Sequence, residues 1–231
     1  MAISHNHCGH RERIKQKFLE KGLDSFSPHE ILEVLLYYSI PRKNTNDIAH
    51  NLINEFGSLS AVFEAPIEEL QKIKGISENT AVFLKLIPEV CRHYYSDKCN
   101  GHDEIITLDV AGEILLRKFI GRVDEAVILM LLDNKGKLLF CDVVNEGTVN
   151  CSQVYIRQIV ALALKHNATV AILAHNHPSG IALPSKNDID TTIAVGNALK
   201  LVDVKLIDHL IIADGDYVSL AADKLDDRMF P

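Results

Sequence analysis

The run Ala126 to Leu132, Ala-Val-Ile-Leu-Met-Leu-Leu, constrains the fold more tightly than any other stretch of the chain. It is far shorter than the roughly 18 apolar residues of a membrane span. The Asp133-Asn134-Lys135-Gly136 turn ends it, so it reads as a strand joined by that turn to a second strand from Lys137 to Val144. Ala168 to Ala174 is a further buried strand, Val204 to Ala213 another, and Tyr217 to Leu220 a short one. Helical periodicity appears at Leu108 to Phe119, Ser152 to His166 and about Lys186 to Lys200. The pattern is that of a mixed α/β domain.

The first half of the chain is patterned differently. Ser27-Pro28-x-Glu30 is a capping box with proline at the first helical position, and the apolar residues Ile31, Leu32, Val34, Leu35 and Leu36 follow it. Further helices are predicted from about Thr45 to Phe56, stopping at Gly57, and from Pro66 to Ile73, stopping at Gly75. Another opens at Ser77 or Glu78, and Pro88 is expected to kink or break it before Tyr94. Periodicity is lost from Tyr95 to Asp103, which predicts a helical domain over residues 1–95 and an α/β domain over 104–231.

Composition narrows the class. With 231 residues, 47% of them hydrophobic, the chain has ample material for packed cores. Neither Ile31 to Leu36 nor Val127 to Leu132 is long enough to span a bilayer, and the N-terminus is polar and His-rich, so a cytoplasmic protein without membrane association is expected. The five cysteines, Cys8, Cys91, Cys99, Cys141 and Cys151, form an odd count without a C-x-x-C pair, as expected for reduced thiols. Residues 1–100 carry 12 basic against 13 acidic side chains and the remainder 12 against 18, which makes the C-terminal half a poor partner for nucleic acid.

The segment Ala174-His175-Asn176-His177-Pro178-Ser179-Gly180 carries the chemistry. Two histidines two apart at a strand end leave on one face, close enough to share a metal ion. Asp188 follows one turn into the predicted helix that starts near Pro184 and Ser185. Two imidazoles and one carboxylate leave a fourth tetrahedral position open, the arrangement of catalytic zinc. Glu146, at the end of another predicted strand and followed by Gly147, suits the general base that such a site needs. Each piece also has a plainer explanation: Ser185-x-x-Asp188 matches a capping motif, and Glu146 by position fits a solvated turn residue. The chain holds its own comparison, because His5-Asn6-His7, with Cys8 and His10 nearby, repeats the tripeptide with no preceding apolar strand.

Glu146, His175, His177, Ser185 and Asp188 together resemble the JAMM signature of the MPN+ metalloproteases. His-Asn-His-Pro-Ser-Gly, the downstream Asp208-His209 and the N-terminal Gly9-His10-Arg11-Glu12-Arg13 narrow the resemblance to the bacterial RadC family, over nearly the whole chain. That resemblance implies a helix-hairpin-helix-like N-terminal domain and a mixed-sheet JAB/MPN domain of cytidine-deaminase-like layout. It also implies Zn2+ held by His175, His177 and Asp188, Glu146 as base, Ser185 as hydroxyl donor to an oxyanion, and a peptide or protein substrate. A base deaminase would need a His-x-Glu together with a Pro-Cys-x-x-Cys set, and the chain has no Pro-Cys-x-x-Cys. Asp208 and His209 are candidates to orient a ligand imidazole, and Arg157 reads as surface cover. Lys72-Ile73-Lys74-Gly75-Ile76-Ser77 resembles the hairpin of helix-hairpin-helix modules, so Lys72, Lys74 and Gly75 are the candidate DNA contacts, with Ser77 standing where that motif carries a second glycine.

Overall fold

The computed structural model describes residues 6–99, 107–147, 153–178, 180–223 and 229–230. The chain divides into two compact units, residues 1–91 and 92–231.

The first unit is helical: α1 (Asn6–Lys21), α2 (Pro28–Ser39), α3 (Asn46–Phe56), α4 (Leu59–Glu64), α5 (Ile67–Lys72) and the first part of α6 (Glu78–Cys99). Leu32, Leu36, Leu52, Leu70 and Leu84 form its fully buried centre. Two of these helices carried no sequence expectation. The short α4 is announced only by Ser58, whose Oγ accepts from Ala61 N at 3.1 Å. The polar α1 is held by Arg11, which donates to the carbonyls of Pro41 (3.0 Å), Ile40 (2.7 Å) and Lys43, with its guanidinium 4.6 Å from the Tyr37 ring centre. His10 lies 3.0 Å from the buried Glu33 carboxylate, which also accepts from Tyr37 and Asn46. The His10 and Arg11 of the Gly-His-Arg-Glu-Arg stretch thus serve packing, while His5 lies outside the described residues.

Pro88 does not break the helix that contains it. α6 is continuous from Glu78 to Cys99, because losing one backbone hydrogen bond is offset where Ala81 and Leu84 are buried in the core upstream. The stretch expected to be a linker is therefore helical up to Cys99, and residues 100–106 lie outside those described.

The second unit contains α7 (Leu108–Lys118), β1 (Ala126–Leu132), β2 (Leu138–Glu146), α8 (Gln153–Lys165), β3 (Val170–Asn176), α9 (Lys186–Lys200), β4 (Lys205–Ala213), β5 (Asp216–Ser219) and α10 (Leu220–Asp223). The five strands form one mixed sheet in the order β2-β1-β3-β4-β5, in which only β3 and β4 run parallel, connected through α9. Strand alternation divides its side chains into two cores. Ile128, Met130, Ile172, Ala174, Leu210 and Ile212 pack with α7 on one face. Val127, Leu129, Leu131 and Leu173 pack with α8 and α9 on the other. Every residue of β1 is buried, which is why its seven positions are all apolar. Among the described residues no helix is long and apolar enough to cross a membrane.

The capping box at α2 gives the fold a measurable acid response. Glu30 accepts from Lys17 Nζ at 2.8 Å and from Ser27 N at 2.9 Å. The Lys17 hydrogen bond first, then the Ser27 amide, hold its carboxyl down to about 2, against an opposing push from burial. A carboxyl lowered on folding stabilises above its unfolded pKa and loses that contribution as pH falls through the folded value. Glu30→Gln should therefore cost about 0.5–1.5 kcal/mol at neutral pH in urea unfolding. The gap from the parent protein should close between about pH 4.5 and pH 2.

Candidate metal centre

The end of β3 brings the two histidines onto the face that α9 covers. His175 follows Leu173 on that face by strand alternation and is fully buried. His177 continues the pairing beyond the strand, its N–H donating to Ile212 O at 2.8 Å. Asp188 enters from the first turn of α9. The capping motif at that turn and the ligand assignment describe the same geometry. Ser185 Oγ accepts from Asp188 N at 3.2 Å, and Ser185 N donates to Asp188 Oδ2 at 2.7 Å, which aims the carboxylate at the histidines.

The three predicted ligands converge. His175 Nε2 lies 2.9 Å from His177 Nε2 and 3.2 Å from Asp188 Oδ1, and His177 Nε2 lies 3.5 Å from Asp188 Oδ2. Burial works to raise the Asp188 carboxyl, but hydrogen bonds from His175 and Ser185 outweigh it and hold it well below the usual carboxylate range. Asp188 is an anion at neutral pH.

The protons on the rings follow from their other partners. His177 Nδ1 lies 2.8 Å from Ile181 O, a carbonyl that can only accept, so a proton sits on Nδ1 and Nε2 is the nitrogen turned toward His175 and Asp188. His175 Nδ1 lies 2.8 Å from His209 Nε2, and His209 Nδ1 lies 2.6 Å from Thr192 Oγ1. Burial first, then the neighbouring His175, push His209 well below the ordinary imidazole range, so it is a neutral ring.

Zinc fits this donor set. Two imidazole nitrogens and an anionic carboxylate oxygen face one another with separations of 2.9 to 3.5 Å. Ligands at about 2.0–2.1 Å from a tetrahedral ion are about 3.3–3.4 Å apart. Its composition, two imidazoles and one carboxylate, matches that of a zinc site with one open position.

Glu146 does not join the cluster. Its backbone pairs with Ala126 at the end of the edge strand β2, its side chain is 67% exposed, and its Oε1 lies 2.9 Å from Arg122. The acid gathered with the histidines is Glu125, which offers a carboxylate oxygen within 4.8 Å of ligand nitrogens of both His175 and His177. The antiparallel register of β1 and β3, extended by two residues beyond Val127 and His175, sets Glu125 opposite His177. That carboxylate, just ahead of the apolar run, was the signal available in the sequence.

Asn176 holds Glu125 in place. Its side chain accepts from Ala126 N at 2.8 Å and donates to Asp124 O at 3.0 Å, the two backbone groups that flank Glu125. Asp208 and His209 separate by strand alternation. Only His209 reaches His175, whereas Asp208 accepts from Ser219 Oγ at 2.7 Å and Ala221 N at 3.1 Å and anchors the start of α10. Arg157 is exposed on α8. In the helical unit Lys72 is engaged by Glu69, Lys74 is exposed, and Gly75 adopts φ +104° against Ile48. Ser77 Oγ accepts from Thr80 N at 3.3 Å and so occupies one of the amides that a phosphate would use at the start of α6.

Sheet order and helix placement define a JAB-type domain, and comparison with known families agrees. A family described as RadC-like JAB domain matches residues 105–225, and one described as UPF0758 N-terminal matches residues 6–82. The chain belongs to the RadC family. A UPF0758 protein of Fusobacterium nucleatum subsp. nucleatum is 38% identical over 224 residues, covering 94% of this chain and 97% of its own. UPF0758 proteins of Tolumonas auensis (36% over 211 residues; 91% and 94%) and Vibrio atlanticus (34% over 207 residues; 90% and 92%) are similar along nearly their whole lengths.

The Asn176 clip is open to test. Asn176→Ala leaves the buried Ala126 N–H without its acceptor, a loss of about 1–3 kcal/mol. Urea unfolding should show a loss of that size.

Proposed function

We propose that this protein is a zinc-dependent JAMM-type peptidase or isopeptidase-like hydrolase, with His175, His177 and Asp188 as the metal ligands. The observation that carries the proposal is the convergence of the two Nε2 atoms and the Asp188 carboxylate within 2.9 to 3.5 Å. Zinc bound there would supply Lewis acidity at the open position beside a peptide carbonyl.

The chain's own groups handle the protons. Glu125, rather than Glu146, is the general base in this proposal: it takes a proton from the attacking water and returns it to the departing amine as the C–N bond breaks. Ser185 is exposed, and its Oγ uses a lone pair in capping α9, which leaves its proton for a developing oxyanion. The Arg122 ion pair holds Glu146 in a different task, the closure of the β1–β2 end.

A DNA contact through Lys72, Lys74 and Gly75 is the alternative. The Ser77 cap and Glu78 in the first turn of α6 weigh against it, since both oppose a phosphate there. No specific observation favours it over hydrolysis.

Metal analysis by mass spectrometry should find stoichiometric zinc in the parent protein and almost none in His177→Ala; equal zinc in both would end the proposal. With a proteome-derived peptide library as substrate, Glu125→Gln should slow cleavage by about 10²–10⁴-fold while Glu146→Gln stays within a few-fold. The reverse ranking would return the base to Glu146. Undiminished cleavage in both variants would remove the carboxylate mechanism.

A further inference from the structure

A buried chain of hydrogen bonds runs from one proposed ligand to another. Thr192, one turn along α9 from Asp188, has Oγ1 2.6 Å from Asp188 O and 2.6 Å from His209 Nδ1. His209 Nε2 lies 2.8 Å from His175 Nδ1. Asp188, Thr192, His209 and His175 are all buried, so water does not intervene to choose the direction of these bonds.

One group in the chain permits a single direction. The Asp188 carbonyl has no proton, so the Thr192 hydroxyl must donate to it. Thr192 Oγ1 has then spent its only proton and can only accept from His209, which puts the His209 proton on Nδ1. The His209 ring then has Nε2, its one remaining nitrogen, turned toward His175 Nδ1. When His175 serves as a ligand through Nε2 its ring proton lies on Nδ1, and His209 Nε2 is the acceptor that this direction of the relay provides.

We infer that Thr192 and His209 are positioning residues that lock His175 in its metal-binding tautomer, with the Thr192 hydroxyl setting the direction of the whole relay. The inference deepens the zinc reading and rests on it for its effect on metal affinity, though the proton position on His209 is a property of the metal-free protein.

Thr192→Val keeps the shape and removes the hydroxyl. A protonated His209 Nδ1 would then be a buried donor without an acceptor, so the proton moves to Nε2, His209 donates to His175 Nδ1, and the His175 proton moves onto the ligand atom. Zinc binding has to reverse that arrangement. Groups that orient metal ligands typically contribute about 10–100-fold to affinity, and that is the loss expected for Thr192→Val, with Thr192→Ser close to the parent protein.

The test combines nitrogen-15 NMR of the histidine rings in the metal-free full-length protein with zinc competition titration. The parent protein and Thr192→Ser should show His209 protonated on Nδ1, and Thr192→Val should show it on Nε2 together with the affinity loss. A parent spectrum with the proton on His209 Nε2 overturns the inference without any variant. So does a Thr192→Val protein whose His209 signal and zinc affinity match the parent. Failure of the parent protein to bind zinc would sink the hydrolase proposal, while the ring spectra would still decide the relay.

Discussion

The second unit holds the Nε2 atoms of His175 and His177 2.9 Å apart with an anionic carboxylate beside them. Each ring is tied from behind: His177 by the Ile181 carbonyl, and His175 by His209. Asp188 is tied by the backbone amide of its own helix cap. Each attachment fixes the direction in which its group faces the others. Donors held in this way are preorganised, which gives the cluster chemical meaning beyond its composition.

The sheet order follows from the need to build that cluster from distant pieces of chain. Antiparallel pairing of β1 with β3 brings the start of β1, with Glu125, to the end of β3, where the histidines lie. The parallel crossover from β3 to β4 must pass through a helix, and α9 therefore begins beside the strand end it has just left. Asp188 in its first turn reaches the histidines for that reason. Parallel pairing then sets His209 next to Leu173, one side-chain repeat behind His175 on the same face.

Much of this was legible in the sequence, and the failures have physical causes. β1 and α9 have the bounds that apolar runs and capping signals predict, since both are long and unambiguous in period. The convergence of His175, His177 and Asp188 was legible because strand alternation and a capping box each fix a direction for a side chain. Glu146 was favoured as base because it ends a strand before a glycine, yet it ends the edge strand, where Arg122 claims it. Glu125 has no such local mark. Its role depends on pairing between residues about fifty positions apart, which no local pattern records. The bounds of α1 are faint in the sequence for a related reason: it is mostly polar, and besides the buried Ile14 the groups that hold it are backbone carbonyls between α2 and α3.

The tripeptide His-Asn-His divides its work by strand parity. The odd positions, His175 and His177, face α9 and present their Nε2 atoms, while Asn176 points the opposite way and grips the backbone on either side of Glu125. Glu125 is therefore positioned by the same tripeptide that presents the two Nε2 atoms, so any shift of the strand end moves both together.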